Sequence, residues 1–366
     1  MVDRGVAKRN RAGSRESLQT WRWAPVALCF LFLLGSASCR NSSAAEREQG
    51  LPSGSAGAGT AHDAIVIRFS DPGNSGVLAY AKRNGILEKE LAKVNAKIEW
   101  VPAAGAFSAN FEAMNSGAIN ASGGAISPII GALSHHLDFK IFAIGDPSDA
   151  REAGIVSPAG SPLKKVEDLV GKRVAVNWAA HGDYLLLKAL ANHGISADKV
   201  SRVPIQPPDA AAAFATGKID AWSTFGVFFE TAIKNGANVI AYESQLDSDD
   251  VTVSAANAAL LAKNPTAFQV LLKVEQDLSR EAREHPERFQ NLFTDKGPTA
   301  VSGDRLAISI RETQVTPTQR VPTAADKQRV ANVAKIFFDN KSIDRAIGVD
   351  EIVFDIDAAA QAKAAK

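Results

Sequence analysis

The sequence predicts an α/β protein built as two lobes with a ligand cleft between them. Three observations support this. Short apolar runs alternate with helical patterns from residue 64 onward, and such alternation builds sheets with helices on their faces. Two polar segments, 157–162 (SPAGSP) and 244–250 (SQLDSDD), interrupt that alternation. Finally, 366 residues with 46% apolar content are enough to bury more than one core.

The elements follow in order. Residues 64–69 (AIVIRF) form a strand, followed by the loop 70–76. A helical pattern over 77–94 places Leu78, Ala81, Ile86, Leu87 and Leu91 at helical spacing and breaks at Asn84-Gly85. Further strands are expected at 97–101, 139–144, 154–156, 173–176, 220–223, 238–241 and 251–253, in mostly parallel sheets. Gly117 and Gly217 each follow an Ala-containing helix and precede a strand, the place for a left-handed C-cap, and Gly171 turns the chain into the strand at 173. Asn264-Pro265 reads as the cap and first residue of a long amphipathic helix. The boundaries assign 63–157 and 246–366 to lobe 1 and 158–245 to lobe 2, so the chain crosses twice and leaves a hinged cleft.

The N-terminal region reads as an export leader. Residues 1–38 carry six basic and two acidic side chains, and residues 24–34 (APVALCFLFLL) form an apolar run too short to span a bilayer. Ser36-Ala37-Ser38-Cys39 resembles a lipoprotein signal, apart from a serine where leucine is usual. Ser43-Ala44-Ala45 offers ordinary cleavage before Glu46 instead. The expected location is periplasmic, soluble or lipid-anchored through Cys39, with 40–62 as a flexible Ser/Gly/Ala tether. Without the leader the charge is about −3, with no basic concentration of the kind nucleic acids attract. Both cysteines, Cys29 and Cys39, lie near the leader, so the body has no thiol for a disulfide or for catalysis.

The best single candidate for ligand contact is residues 177–183 (NWAAHGD). They leave the apolar run 173–176 and enter a helical pattern, a junction where backbone N–H groups are free to meet an anion. His181 is a candidate donor to an anionic head group, and Asp183 a candidate to orient it, contact a ligand amine or cap the helix. Trp178, Trp222, Phe225 and Phe228 suit an apolar ligand body or the core equally. The adjacent pair His135-His136 has no further Cys or His cluster to make it a metal site, Glu230 and Glu243 show no acid–base pairing pattern, and no phosphate-binding loop of the ATPase type occurs.

Five segments in this order resemble the substrate-binding proteins of ABC importers, in the group that takes aliphatic sulfonates, taurine and nitrate. They are 79–91, 99–105 (EWVPAAG), 111–120 (FEAMNSGAIN), 161–175 (SPLKKVEDLVGKRVA) and 214–222 (FATGKIDAW). The resemblance implies a type II periplasmic-binding-protein fold, a small sulfonate-like anion as ligand, an ABC permease as partner and a monomeric state, with no cofactor, metal or nucleic acid. It places the ligand among the loops 71–75, 104–107, 122–125, 179–183 and 222–228. The implied contacts are Asn74, Ser75, Gly105, Ala106, Phe107, Gly123, Gly124, Ala180, His181, Gly182, Asp183, Trp222 and Phe225. Relatives of this group commonly carry Gly-Ser/Thr-Ser/Thr where this chain has Ala179-Ala180-His181, and Trp-Asp-Pro-Phe where it has Phe225-Gly226-Val227-Phe228. Nitrate, bicarbonate or a heterocyclic vitamin precursor are therefore alternative ligands. Enzymes on the same scaffold, a desulfinase and a pyrimidine synthase, rely on cysteines that this body lacks.

Overall fold

The computed structural model describes residues 64–103, 106–148, 152–297 and 299–365. The leader, the tether, Cys39, Glu46 and the loop residue Gly105 lie outside the described residues.

The chain begins with β1 (Ile65–Ser70), α1 (Val77–Arg83), α2 (Ile86–Ala92), β2 (Ala96–Val101), α3 (Phe111–Asn115), β3 (Ala121–Ala125), α4 (Ile126–Ser134) and β4 (Phe139–Ile144). It crosses to β5 (Ala153–Ser157), β6 (Arg173–Val176), α5 (His181–Asn192), β7 (Ser201–Pro204), α6 (Pro207–Ala215), β8 (Ala221–Phe225), α7 (Gly226–Lys234) and β9 (Asn238–Tyr242). It returns through β10 (Thr252–Asn257), α8 (Ala258–Lys263), α9 (Pro265–Glu284), α10 (Asp304–Val315), α11 (Ala324–Asp339), α12 (Val349–Ile352) and α13 (Ile356–Ala364).

Two five-stranded sheets result, in the orders β2-β1-β3-β10-β4 and β7-β6-β8-β5-β9. In each sheet one strand runs against the other four. It is β10 in the first, antiparallel to β3 and β4, and β5 in the second, antiparallel to β8 and β9. These are the first strands after each crossing. The expected boundary at residue 158 is therefore displaced: β5, assigned to lobe 1 from the sequence, pairs within the sheet of lobe 2, and the crossing precedes it. The turn signal SPAGSP marks the end of β5 rather than a change of lobe. The strand expected after Gly117 is β3 (ASGGA), whose apolar bulk is too small to mark its bounds in the sequence, and β7 (SRVP) escapes the sequence patterns as a short edge strand ending in Pro204, whose missing N–H is harmless at an edge.

Alternation sets the cores. In β6, Val174 and Val176 face α5 with Leu185, Leu186 and Leu190, while Ala175 faces the cluster of Trp222 and Phe229. In β4, Phe142 packs with Phe268 and Leu271 of α9, and its neighbour Ile141 with Ile129, Val330 and Phe337 of α4 and α11. Gly117 and Gly217 take φ of 73° and 67°, the left-handed region that closes a helix. Asn264 caps α9 by accepting the Ala267 N–H at 3.2 Å.

The lobes touch behind the cleft as well as across it. Tyr184 and Leu187 of α5 belong to the same apolar cluster as Ile129, Ile130 and Phe337 of the first lobe. Beside them Arg202 donates to Asp183 at 2.9 Å, to Ser342 Oγ at 2.8 Å and to the Asn340 carbonyl at 2.6 Å.

Candidate functional site

A cavity of about 520 Å³ opens between the two sheets. The first lobe contributes Ala106, Phe107, Gly123, Gly124 and Pro128, and the second Asn177, His181 and Phe225. The two crossings border it with Asp146 to Ser148, Glu152, Glu243, Asp247, Ser248, Asp250 and Val251, and Thr316-Pro317 also lines it.

His181 is the first residue of α5, and the preceding turn is tightly specified. Ala179 adopts a left-handed φ of 49°, and its N–H is received by Asp183 Oδ2 at 3.1 Å. The Gly182 N–H donates to Asn177 Oδ1 at 2.7 Å. A Cβ on Gly182 would stand 2.5 Å from that oxygen and 2.6 Å from the Ser223 carbonyl, so only glycine fits there. Across the lobes, a Cβ on Gly131 would stand 2.2 Å from the Ala179 carbonyl.

Held this way, the His181 ring lies edge-on to Phe225, with centroids 5.0 Å apart. Nδ1 meets Asp250 Oδ2 at 2.8 Å and Nε2 meets Glu243 Oε2 at 3.2 Å. Burial disfavours the imidazolium, but Glu243 and Asp250 outweigh that penalty and hold the pKa of His181 well above its usual value. Asp250 is itself shut away from solvent. Its carboxylate accepts the Ser127 N–H at 2.7 Å and the Ser127 hydroxyl, at the first turn of α4. One carboxylate thus satisfies a helix N-terminus of the first lobe and an imidazolium of the second.

The cavity wall is acidic. Its described lining includes the residues Asp146, Glu152, Glu243 and Asp247, with His181 as the cation among them, and the Asp250 carboxylate lies sealed behind that imidazole. Asp146 accepts from Arg320 at 2.6 Å. Burial, reinforced by Glu230 and Glu243, raises the pKa of Glu152, while His181 opposes the rise. Burial and the charges of Glu152 and Glu230 push Glu312 up to about 8.

Of the residues implied by the sequence, Ala106, Phe107, Gly123, Gly124, His181 and Phe225 line the cavity. The others have different surroundings. The Asn74 amide donates to the carbonyls of Thr294 and Thr299, while its Oδ1 accepts the N–H groups of Phe293 and Thr294, so it pins a loop of the first lobe. Ser75 borders a separate cavity of about 280 Å³ beside Glu275. Ala180 and Gly182 are buried in the turn before and at the start of α5. Asp183 is fully buried against Arg202, Ser342 and the Ala179 N–H and is not part of the cavity lining. Trp222 is 3% exposed and packs with Phe214 and Phe228 inside the second lobe. Trp178 stacks on Arg202 at 4.3 Å and donates to the Ser342 carbonyl, away from the cavity.

The expected free donors at the helix starts are also partly spoken for. Ser127 of α4 donates to Asp250, Gly182 of α5 to Asn177, and Gly226 of α7 to the Glu152 carbonyl at 2.7 Å. Sequence reasoning set Glu243 aside for want of a partner and missed Asp250, because both sit in or beside a polar stretch that reads as a linker. Their partner is more than 60 residues away. His135 and His136 stand exposed just after α4, and no group of three metal-type ligands occurs among the described residues.

Comparison with known proteins gives matches in sequence and in fold. Residues 115–289 match the NMT1/THI5-like family. A putative aliphatic sulfonates-binding protein of Escherichia coli is 33% identical over 162 residues, 43% of this chain and 49% of that protein, so the match spans about half of its length. The corresponding protein of Bacillus subtilis is 26% identical over 278 residues, 75% of this chain and 82% of that one. The alkanesulfonate-binding protein SsuA from Xanthomonas axonopodis pv. citri, solved bound to MOPS, superposes with a TM-score of 0.69 at 22% identity, covering 81% of this chain and all of that one. In fold, and in sequence over the spans given, the chain is similar to proteins named for binding aliphatic sulfonates.

Proposed function

We propose that this protein is the extracytoplasmic solute-binding component of an ABC importer, taking a small sulfonate into the cleft between its lobes and delivering it to the permease. The observation that carries this reading is the cavity itself. It is large enough for a compact organic ligand, walled by both lobes and bordered by both crossings, so hinge motion opens and closes it around a solute. Phe107 and Phe225 supply apolar wall, and His181 is the cation of the described lining available to an anionic head group. The relatives named for sulfonates support the ligand class. A body without cysteine supports binding over thiol chemistry. Action outside the cytoplasmic membrane follows from the leader, and mass spectrometry of the mature N-terminus distinguishes an acylated Cys39 from a start at Glu46.

A thermal-shift screen with alkanesulfonates, taurine, nitrate and pyrimidines tests the reading. A sulfonate at 100 times its dissociation constant adds about 2.7 kcal/mol to the stability of the folded state. Stabilisation by pyrimidines or nitrate and by no sulfonate would overturn the assignment.

A further inference from the structure

We propose that Glu243 is an internal stand-in for the anionic group of the ligand, occupying the cavity-side N–H of His181 until a bound anion displaces it. The inference rests on the sulfonate reading above and adds a residue that controls affinity at the same site.

The two carboxylates on His181 are not equivalent. Asp250 is sealed from solvent, receives two donors from Ser127 besides His181 Nδ1, and joins the lobes. It is structural, and a ligand that removed it would strip a buried helix start of its acceptor. Glu243 is different on each count. Its side chain retains 20% exposure, and its contact with Nε2 is the longer one at 3.2 Å. Its other contact is the hydroxyl of Ser248, which donates to Oε1 at 2.8 Å. It begins a short 3-10 turn at the end of β9, outside the sheet, so its side chain can swing without disturbing a strand.

His181 Nε2–H is therefore the place where the imidazolium can meet an anionic oxygen from the cavity, and Glu243 already fills it. Two anionic oxygens cannot share that donor without strong like-charge repulsion, which the carboxylate of Glu152 on the same wall increases. A sulfonate oxygen can take the N–H when Glu243 leaves. Because Ser248 belongs to the second crossing, the departure of Glu243 also releases a bond to the hinge segment. Anion capture and hinge movement are thereby linked through one side chain.

The test is titration calorimetry at pH 7 with methanesulfonate and butanesulfonate, which carry no amine, on wild type, Glu243→Gln and Glu243→Ala. Circular dichroism melts confirm that each variant is folded. Both variants are expected to bind the sulfonates at least tenfold more tightly than wild type, and tenfold corresponds to about 1.4 kcal/mol. Equal or weaker binding by the folded variants overturns the proposal. Weaker binding would assign Glu243 to direct recognition of the ligand. If wild type and both variants bind neither sulfonate while another solute stabilises the protein, the sulfonate reading fails, and the stand-in role fails with it.

Discussion

Replacing His181 with alanine destabilises the fold, although the residue opens a helix at the edge of a cleft. The variant loses the imidazolium that contacts Asp250 at 2.8 Å and Glu243 at 3.2 Å. Removing one partner of a buried ion pair costs about 3–5 kcal/mol when the other charge is stranded. Here Asp250 keeps both Ser127 donors and Glu243 can turn towards solvent, so about 2–3 kcal/mol is expected. The pH dependence provides the sharper check. Unfolded, the imidazole titrates near 6.5, and in the fold it holds its proton to well above that value. Its stabilisation is thus complete below about pH 6.5 and fades as pH climbs through the raised folded-state value. Urea denaturation followed by circular dichroism at pH 6 and again at alkaline pH measures both. The gap between wild type and variant is largest at pH 6 and narrows at high pH. Equal stability at pH 6, or a gap that does not change with pH, would show that the two carboxylates do not hold a charged imidazole.

Two further predictions concern buried positions. Burial alone raises the Glu275 carboxyl to about 7 and leaves its Oε2 without a hydrogen-bond partner, so its contribution is complete below the unfolded value near 4.5 and lost as pH rises through 7. Glu275→Gln should therefore gain up to about 3 kcal/mol at pH 8 and nothing at pH 4, with a pH-independent change in melting temperature counting against this reading. Gly131→Ala pushes a Cβ into the Ala179 carbonyl and should cost about 1–3 kcal/mol, while also weakening ligand binding through the turn that carries His181. An unchanged melting temperature and affinity would show that the contact relaxes freely.

The legible part of this protein was whatever local chemistry specifies alone. Residues 65–69 and 173–176 declare themselves as strands by apolar and β-branched side chains, and Asn264-Pro265 starts a helix by its own hydrogen bond. β3 is a strand because β1 and β10 flank it, which its ASGGA composition does not show. The turn before α5 was identifiable as a loop at a strand end, and His181 within it as a donor. Its electrostatic environment was not, because Glu243 and Asp250 approach it through the second crossing. Asp183 illustrates the converse. An acid beside a candidate donor suggested ligand chemistry, yet Arg202 and Ser342 from distant segments claim it. Likewise Glu275 falls on the apolar stripe of α9, between Leu271 or Leu272 and Leu278, at a spacing that half-buries the residue and shuts its Oε2 from solvent beside the leucines.

The reversed strand in each sheet has a consequence for how the chain assembles as it is made. β10 lies between β3 and β4, so β4 has no neighbour in its sheet until synthesis has passed residue 257. The second lobe draws all five of its strands from the continuous stretch 153–242 and can close before the first. The N-terminal half thus waits, with its last strand unpaired, for a strand encoded more than 100 residues later. A chain truncated at residue 245 would retain a complete second sheet beside a first one divided into β2-β1-β3 and a solitary β4, exposing apolar edges prone to association.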